Sequence, residues 1–336
     1  MLLERVTSVA MDDEPLRAAD VPTPAPGDGE ILIAISACGV CHTELDEIEG
    51  RSAPPRLPII PGHEVVGLVK STGRSVTRFQ PGDRVGVGWI HSSDGGDDEN
   101  LSPAFRATGR DVNGGYAEYM TIGENYAYPI PEIFSDEEAA PLLCAGAIGY
   151  RALRLSGITN GDRLGLTGFG GSAHLVLQLS RHLYPDTPIY VFARDAASRE
   201  FASELGADWV ASTDERAAEA LDAIIDTTPA WTPVVMALSN LKAGGRLVIN
   251  AIRKEDADKA ALENLSYHEH LWMEREIKSV ANITHRDIAE FLPLAAEIPI
   301  RPKVTCYSLE NANAALVSLK RESVRGVKVL RVTKSS

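Results

Sequence analysis

Apolar residues in the first part of the chain come in short β-branched runs separated by turn signals. Ile31-Leu32-Ile33-Ala34-Ile35, Val65-Val66-Gly67-Leu68-Val69 and Arg84-Val85-Gly86-Val87 read as strands, with Pro-Gly pairs at 26–27, 61–62 and 81–82 punctuating them. The pattern from residue 30 to about 130 therefore predicts a mostly β region. After about residue 146 the rhythm becomes strand, helix, strand, helix, the pattern of a parallel sheet covered on both faces. Residues 163–167, 188–193, 223–226 and 246–250 are its expected strands, and 172–183, 197–205 and 232–241 its expected helices. Gly206 and Gly244 fit helix C-terminal stops. The last fifty residues predict helices near 286–296 and 309–320 and a final strand over 327–332, which are expected to return to the first domain.

Composition narrows the class. The chain has 336 residues, 44% hydrophobic and 24% charged, which is ordinary for a globular protein long enough to build two cores. Its 33 basic and 47 acidic residues leave a net charge of −14, so the field that attracts nucleic acid or anionic lipid is missing. The N-terminal stretch is broken by Glu4, Arg5, Asp12 and Asp13 and does not read as a secretory signal. No apolar run approaches the roughly eighteen residues of a membrane span, and a cytoplasmic location is expected. Four cysteines (Cys38, Cys41, Cys144, Cys306) are too sparse for a disulfide framework; they suit core positions or metal ligation.

Two constellations carry chemistry. Gly168-Phe169-Gly170-Gly171-Ser172-Ala173-His174 directly follows an apolar strand and opens a helix. Gly168 allows the tight turn, Gly170 lets backbone approach a pyrophosphate, and Ala173 is small enough for close helix packing. The helix N-terminus, with Gly171 and Ser172, then supplies N–H donors to phosphate. Dinucleotide binding is the expected use. Where an NAD-binding unit would carry an acid for the ribose 2′-hydroxyl, this strand ends Phe192-Ala193-Arg194. A guanidinium matches a 2′-phosphate, so NADP is expected to be preferred over NAD, although Asp195 stands next to Arg194. The second constellation is Cys41, His63 and Cys144. Two thiolates and an imidazole form a borderline-soft set suited to zinc with an open fourth position. Spacing alone leaves the ligand set open: Cys38-x-x-Cys41 also reads as half of a zinc knuckle, though no second C-x-x-C completes one.

Together Gly39-Val40-Cys41-His42-Thr43, Gly62-His63-Glu64, Pro81-Gly82-Asp83-Arg84-Val85, Gly114-Gly115-Tyr116-Ala117-Glu118-Tyr119, Leu143-Cys144-Ala145-Gly146 and the Gly168 loop occur in one order over nearly the whole length. In this the chain resembles the zinc-containing, medium-chain alcohol dehydrogenase family of the medium-chain dehydrogenase/reductase superfamily. The resemblance implies an α/β protein with two domains. Residues 1–145 and 284–336 would form a GroES-like, β-rich catalytic domain, and 146–283 a Rossmann domain with a doubly wound parallel sheet. It implies one catalytic zinc held by Cys41, His63 and Cys144, with Glu64 beside the metal and Glu44 orienting His63. Thr43 would hydrogen-bond the substrate oxygen and pass its proton on. His42, and Arg325 in Glu322-Ser323-Val324-Arg325-Gly326, would approach the coenzyme pyrophosphate. The implied reaction is reversible hydride transfer between a primary or secondary alcohol, or its aldehyde or ketone, and NADP or NAD, and the zinc cleft and glycine loop must then converge in space. A homo-oligomer, dimer or tetramer, is implied as well.

Two departures from the family pattern stand out. Many relatives carry four close cysteines between the positions of Trp89 and Gly114, holding a structural zinc; this chain has none there, and no structural zinc is expected. Asp94, Asp97, Asp98 and Glu99 offer hard oxygens that could in principle hold calcium, but read foremost as a solvated acidic loop. Asp46 stands where some relatives end a proton relay with histidine, and is a weaker base near neutrality. Two other readings share the fold: a zinc-free quinone or enone reductase, against which the three metal ligands argue, and a non-catalytic NADP-binding protein.

Overall fold

The computed structural model describes residues 1–298, 300–322 and 325–332. Contacts divide the chain into two compact units, Met1–Ala147 with Ile283–Ser336, and Ile148–Asn282. No helix among the described residues is long and apolar enough to cross a membrane.

The first unit is built on strand Glu30–Val40, whose eleven residues are buried almost throughout. Along one side it pairs antiparallel with Val65–Thr72, with irregular register at Leu32/Ile33 and again at Ile35/Ala37. Such irregularities bend a strand, and the other side of Glu30–Val40 accordingly serves two partners. Its first half pairs with Tyr119–Gly123 and its second half with Val327–Arg331. Arg84–Val87 and Tyr128–Pro129 extend the sheet beyond Val65–Thr72, and Val304–Ser308 lies parallel to Val327–Arg331 at the far edge. The closing segment thus completes the sheet begun by residues 30–40. Ile31, Ile33, Ile35, Val65, Val69, Val85 and Ile122 fill the core together with Leu316 and Leu319 of helix Ala312–Arg321.

The second unit is a six-stranded sheet, parallel throughout, in the order Trp209–Ala211, Ile189–Phe192, Leu164–Thr167, Leu221–Asp226, Leu241–Ile249, Glu276–Ser279. Strands such as Leu164–Thr167 and Leu221–Asp226 are nearly continuous apolar runs because a parallel sheet is covered on both faces. The order runs outward in both directions from Leu164–Thr167 and Leu221–Asp226, so the switch point, where doubly wound sheets bind ligands, lies between these two. Helices Ala173–Leu183, Ala196–Glu204 and Thr232–Asn240 fall within two residues of the expected bounds.

One stop signal needs correction. Gly206 follows helix Ala196–Glu204 with φ +92°, as a helix-ending glycine should. Gly244 ends no helix. Thr232–Asn240 is already terminated by extended Leu241, and Gly244, at φ +71°, lies inside strand Leu241–Ile249, where the register against the neighbouring strand jumps from Leu221–Leu241 to Ala223–Arg246. The left-handed glycine serves a strand irregularity, which a helix-stop reading cannot distinguish from sequence.

Candidate functional site

Strand Glu30–Val40 delivers Cys41 to the start of helix His42–Ile48. Cys41 is extended (φ −120°, ψ 165°) and forms a capping box with Glu44. One Glu44 oxygen accepts the Cys41 backbone N–H at 2.7 Å, while the other lies 2.5 Å from His63 Nδ1. A single buried carboxylate therefore fixes the backbone of one candidate ligand and the ring of another. Here glutamate, being the third helical residue, reaches back to the cap and sideways to the imidazole. His63 and Glu64 come from the turn before Val65–Thr72, and Cys144 from the end of the 3-10 turn Ala140–Leu143.

Donor atoms of Cys41, His63, Glu64 and Cys144 all lie within 4.8 Å of one another. His63 is completely buried, and its Nε2 has no hydrogen-bond partner. Such an orphaned polar atom is expensive in a folded interior, and a metal ion among two sulfurs, an imidazole and a carboxylate satisfies it; this donor set fits zinc. Gly39 makes room for the group, since a Cβ there would stand 1.8 Å from Glu64 Oε2. Gly62 is equally constrained: it has φ +97°, and a Cβ would meet the Tyr116 ring at 2.3 Å. The glycines of both ligand motifs are thus steric requirements.

The electrostatics point the same way. Contact with Cys144 drives the Cys41 thiol well below the ordinary thiol range, with His63 reinforcing it against the effect of burial. Cys144 is pushed up by Cys41 and by burial, and Glu64 by burial and the Cys41 charge. Burial disfavours a charged His63, but the Glu44 and Cys41 charges overcome it and hold its pKa high. The cluster is crowded with acids and short of positive charge, a condition a dication relieves.

Nearby, Thr43 is buried with Oγ1 3.6 Å from Cys41 Sγ. Asp46 is also buried and accepts a hydrogen bond from Arg51 Nε at 2.6 Å. His42 is exposed as the first residue of the helix. Glu47, which no sequence motif marks, is fully buried, and Trp89 Nε1 donates to it at 3.4 Å. The Trp89 ring is 6.2 Å from that of His63 and 5.8 Å from Phe105. Glu47 lies three residues after Glu44, on the same helical face, and that spacing was the available signal.

In the second unit Gly168 has φ +80° and its N–H donates to Phe192 O at 2.8 Å, closing the turn after Leu164–Thr167. An added Cβ there would lie 2.9 Å from Thr227 Oγ1, whereas at Gly170 it would meet nothing within 4 Å. The loop is therefore packed behind Gly168 and open at Gly170. Ala173 is completely buried at the start of its helix, and Ser172 Oγ accepts from Asn250 Nδ2 at 3.2 Å. Arg194 is exposed at the end of Ile189–Phe192. Asp195 beside it caps helix Ala196–Glu204, accepting from Ser198 N and Ser198 Oγ at 2.8 Å. Arg199, likewise unmarked by any motif, donates to the carbonyls of Ala193 and Arg194 at 2.7 and 2.9 Å, adding a second guanidinium at this strand end. Arg325 belongs to the first unit, half-buried just before Val327–Arg331. Ser323 and Val324 of its motif lie outside the described residues.

The sequence model of the alcohol dehydrogenase GroES-like domain matches residues 27–132. Over 333 residues the chain is 40% identical to probable alcohol dehydrogenase AdhA of Mycobacterium tuberculosis (strain CDC 1551 / Oshkosh), covering 96% of this chain and 94% of that protein. The chain belongs to the zinc-type medium-chain alcohol dehydrogenase family. An alcohol dehydrogenase of Geobacillus stearothermophilus is 32% identical over 338 residues, covering 95% of this chain and 97% of that one. The solved structure of CAD from Helicobacter pylori complexed with NADP(H) shares the fold, with a TM-score of 0.80 at 24% identity and 91% of each chain covered.

For a member of this alcohol dehydrogenase family, the cysteine-free lobe between Trp89 and Gly114 is held in an instructive way. Asp94, Asp97 and Asp98 are exposed, as expected of a solvated loop, but Glu99 is fully buried. Its Oε1 accepts from His285 N at 2.5 Å and lies 2.6 Å from His285 Nδ1, and its Oε2 accepts from Tyr126 OH at 3.1 Å. The reading of Glu99 as part of the solvated loop is corrected: Asp94 accepts only locally, from Gly96 N at 3.0 Å, and stays exposed, whereas Glu99 turns inward to donors brought by residues 126 and 285. Among the described residues, the four-donor group around Cys41 is the only cluster with metal-ligand geometry, and it includes none of these acids.

Proposed function

We propose that this chain is a zinc-dependent alcohol dehydrogenase that exchanges a hydride between a primary or secondary alcohol, or its aldehyde or ketone, and a nicotinamide dinucleotide, with NADP preferred and one catalytic zinc per chain. The observation that carries the reading is the convergence of Cys41, His63, Glu64 and Cys144 within 4.8 Å around an unsatisfied buried imidazole nitrogen. The relatives named alcohol dehydrogenase, and the fold shared with a CAD complexed with NADP(H), support the same chemistry.

Bound zinc would supply a Lewis acid for the substrate oxygen, and the dinucleotide a hydride carrier. The remaining work falls to the chain. Cys41, His63 and Cys144 hold the metal, Glu64 stands by as an alternative oxygen donor, and Glu44 keeps the His63 ring turned so that Nε2 faces the sulfurs. Thr43, beside Cys41 Sγ, is the hydroxyl that accepts the substrate proton while passing its own on, toward the coenzyme ribose and the buried Asp46 carboxylate, which is paired with Arg51, or to solvent. Trp89 walls the metal side of the pocket, braced by Glu47. Gly168, Gly170, Gly171, Ser172 and Ala173 form the phosphate loop, with His42 and Arg325 contributing positive charge or hydrogen bonds to the pyrophosphate. Arg194 and Arg199 meet the 2′-phosphate. Asp195 does not oppose them, because its carboxylate is turned into its own helix.

The test is elemental analysis of the purified protein, together with oxidation of a panel of alcohols using NADP and NAD before and after chelation. One zinc per chain, activity lost on chelation and restored by zinc, and a higher kcat/KM with NADP are expected. Metal-independent turnover of quinones or enones would overturn the reading, two tightly held zincs would overturn the metal count, and a higher kcat/KM with NAD would overturn the roles of Arg194 and Arg199.

A further inference from the structure

His174 follows the phosphate loop and has no role in the reaction outlined above, yet it is completely buried. Its Nδ1 lies 3.1 Å from Gly170 O, and its backbone N–H donates to the same oxygen at 3.3 Å. The ring packs on Phe201 at 5.8 Å between centroids, and Phe169 of the loop packs on Phe201 at 5.5 Å. Nε2 has no hydrogen-bond partner. A buried ring with one nitrogen against a carbonyl and the other unpaired is the neutral Nδ1–H tautomer, since a charged ring would bury a second unsatisfied N–H. Burial also lowers the imidazole pKa to about 4, against the contrary pull of the Gly170 and Gly171 backbone, so the ring is neutral in the physiological range.

The consequence follows from peptide geometry. Gly170 C=O and Gly171 N–H belong to one planar peptide group, which is trans, because Leu57-Pro58 is the cis bond among the described residues. In a trans peptide the carbonyl and the N–H point in opposite directions. A carbonyl held inward by two donors from His174 therefore turns Gly171 N–H outward from the helix, on the loop that is open in front of Gly170. We infer that His174 is a positioning residue for dinucleotide binding: its Nδ1–H locks the Gly170–Gly171 peptide in the orientation that offers Gly171 N–H to the pyrophosphate. This rests on the proposal that the loop binds a nicotinamide dinucleotide. Without Nδ1–H the carbonyl is held by the His174 backbone N–H alone, at 3.3 Å, and the peptide is freer to tilt its N–H away from the phosphate.

The test measures binding of NADPH to the full chain by its fluorescence, with ADP-ribose and adenosine as competitors, for wild type, His174→Phe and His174→Asn. Phenylalanine keeps the ring packing and removes the donor; asparagine offers a side-chain N–H near the Nδ1 position. His174→Phe is expected to weaken NADPH and ADP-ribose about tenfold, the order of one hydrogen bond. Adenosine, which lacks the pyrophosphate, should be unaffected, and His174→Asn should recover most of the loss. Equal weakening of adenosine and ADP-ribose, or no weakening in His174→Phe, would overturn the inference while wild type still binds NADPH. Wild type that binds neither NADPH nor NADH would overturn the dinucleotide reading itself. Should His174→Phe not fold, 15N-resolved imidazole spectra of wild type, with the His174 signal assigned by its loss in His174→Asn, decide the matter: Nδ1–H with bare Nε2 is required, and the opposite tautomer refutes the lock.

Discussion

His174 also shows how a single buried side chain writes itself into stability. Its imidazole titrates at about 4 in the folded chain against 6.5 when exposed, so between these values the unfolded state binds more protons and stability rises with pH. The contribution is fully present above about pH 6.5 and is lost as pH falls toward 4, a span of about 3 kcal/mol. Urea unfolding of wild type and His174→Phe at several pH values should give a stability difference that is constant above pH 6.5 and shifts in favour of the variant as pH falls to 4. Parallel profiles would show that the ring is not buried neutral. Gly39 is the converse case, a residue whose value is the absence of a side chain: the Gly-Val-Cys-His-Thr motif is readable in sequence, but the reason for its glycine, the Glu64 carboxylate lying against it, is not.

Among elements, the short helix His42–Ile48 joins local and long-range requirements. Glu44 caps the helix and touches His63, nineteen positions away in sequence. Glu44→Ala should therefore cost about 1 kcal/mol of capping and, by freeing the His63 ring, weaken zinc 10–100-fold in a chelator competition. A loss of stability with unchanged metal affinity would separate the two roles. The lobe between Trp89 and Gly114 depends on an equally economical contact. Where relatives are implied to use a tetrathiolate zinc, Glu99 ties the lobe to the start of helix His285–Glu297 and to Tyr126. Glu99→Ala removes the acceptor shared by the half-buried donors of Tyr126 and His285 and should destabilise the chain by about 1–3 kcal/mol, with limited proteolysis cutting within residues 92–106 before any other site. Glu99→Gln, which keeps an acceptor, should lose less. The missing cysteines are plain in the sequence; the inward turn of one acid in a run of several is not, because its donors come from residues 126 and 285.

On the scale of the whole molecule, the division into two compact units puts the four-donor cluster in one and the glycine-rich loop in the other. A ligand stabilises what it binds by an amount set by its concentration relative to Kd, about 2.7 kcal/mol at a hundredfold excess. Hydrogen exchange on the full chain should therefore show NADPH slowing amides 168–176 first, and chelation speeding exchange around 39–44 and 63–65. Protection of the metal segments with none at the loop on adding NADPH would contradict the assignment of the two sites. The sequence by itself determined the parts whose physics is local: a β-rich region followed by alternating strands and helices, the strand-turn-helix context of the glycine loop, the acidic net charge, and the chemical character of two thiols and an imidazole. Only the tertiary structure decided what depends on residues far apart meeting. It set the pairing of Val327–Arg331 with the second half of Glu30–Val40 and of Val304–Ser308 beside it, the place of Gly244 inside a strand, the burial of Glu47 and Glu99, the turning of Asp195 into its own helix, and the closure of Cys41, His63, Glu64 and Cys144 to within 4.8 Å. Periodicity and turn chemistry act over a few residues and leave a trace in the string, whereas burial and donor convergence are properties of neighbours that the chain brings together only when it folds.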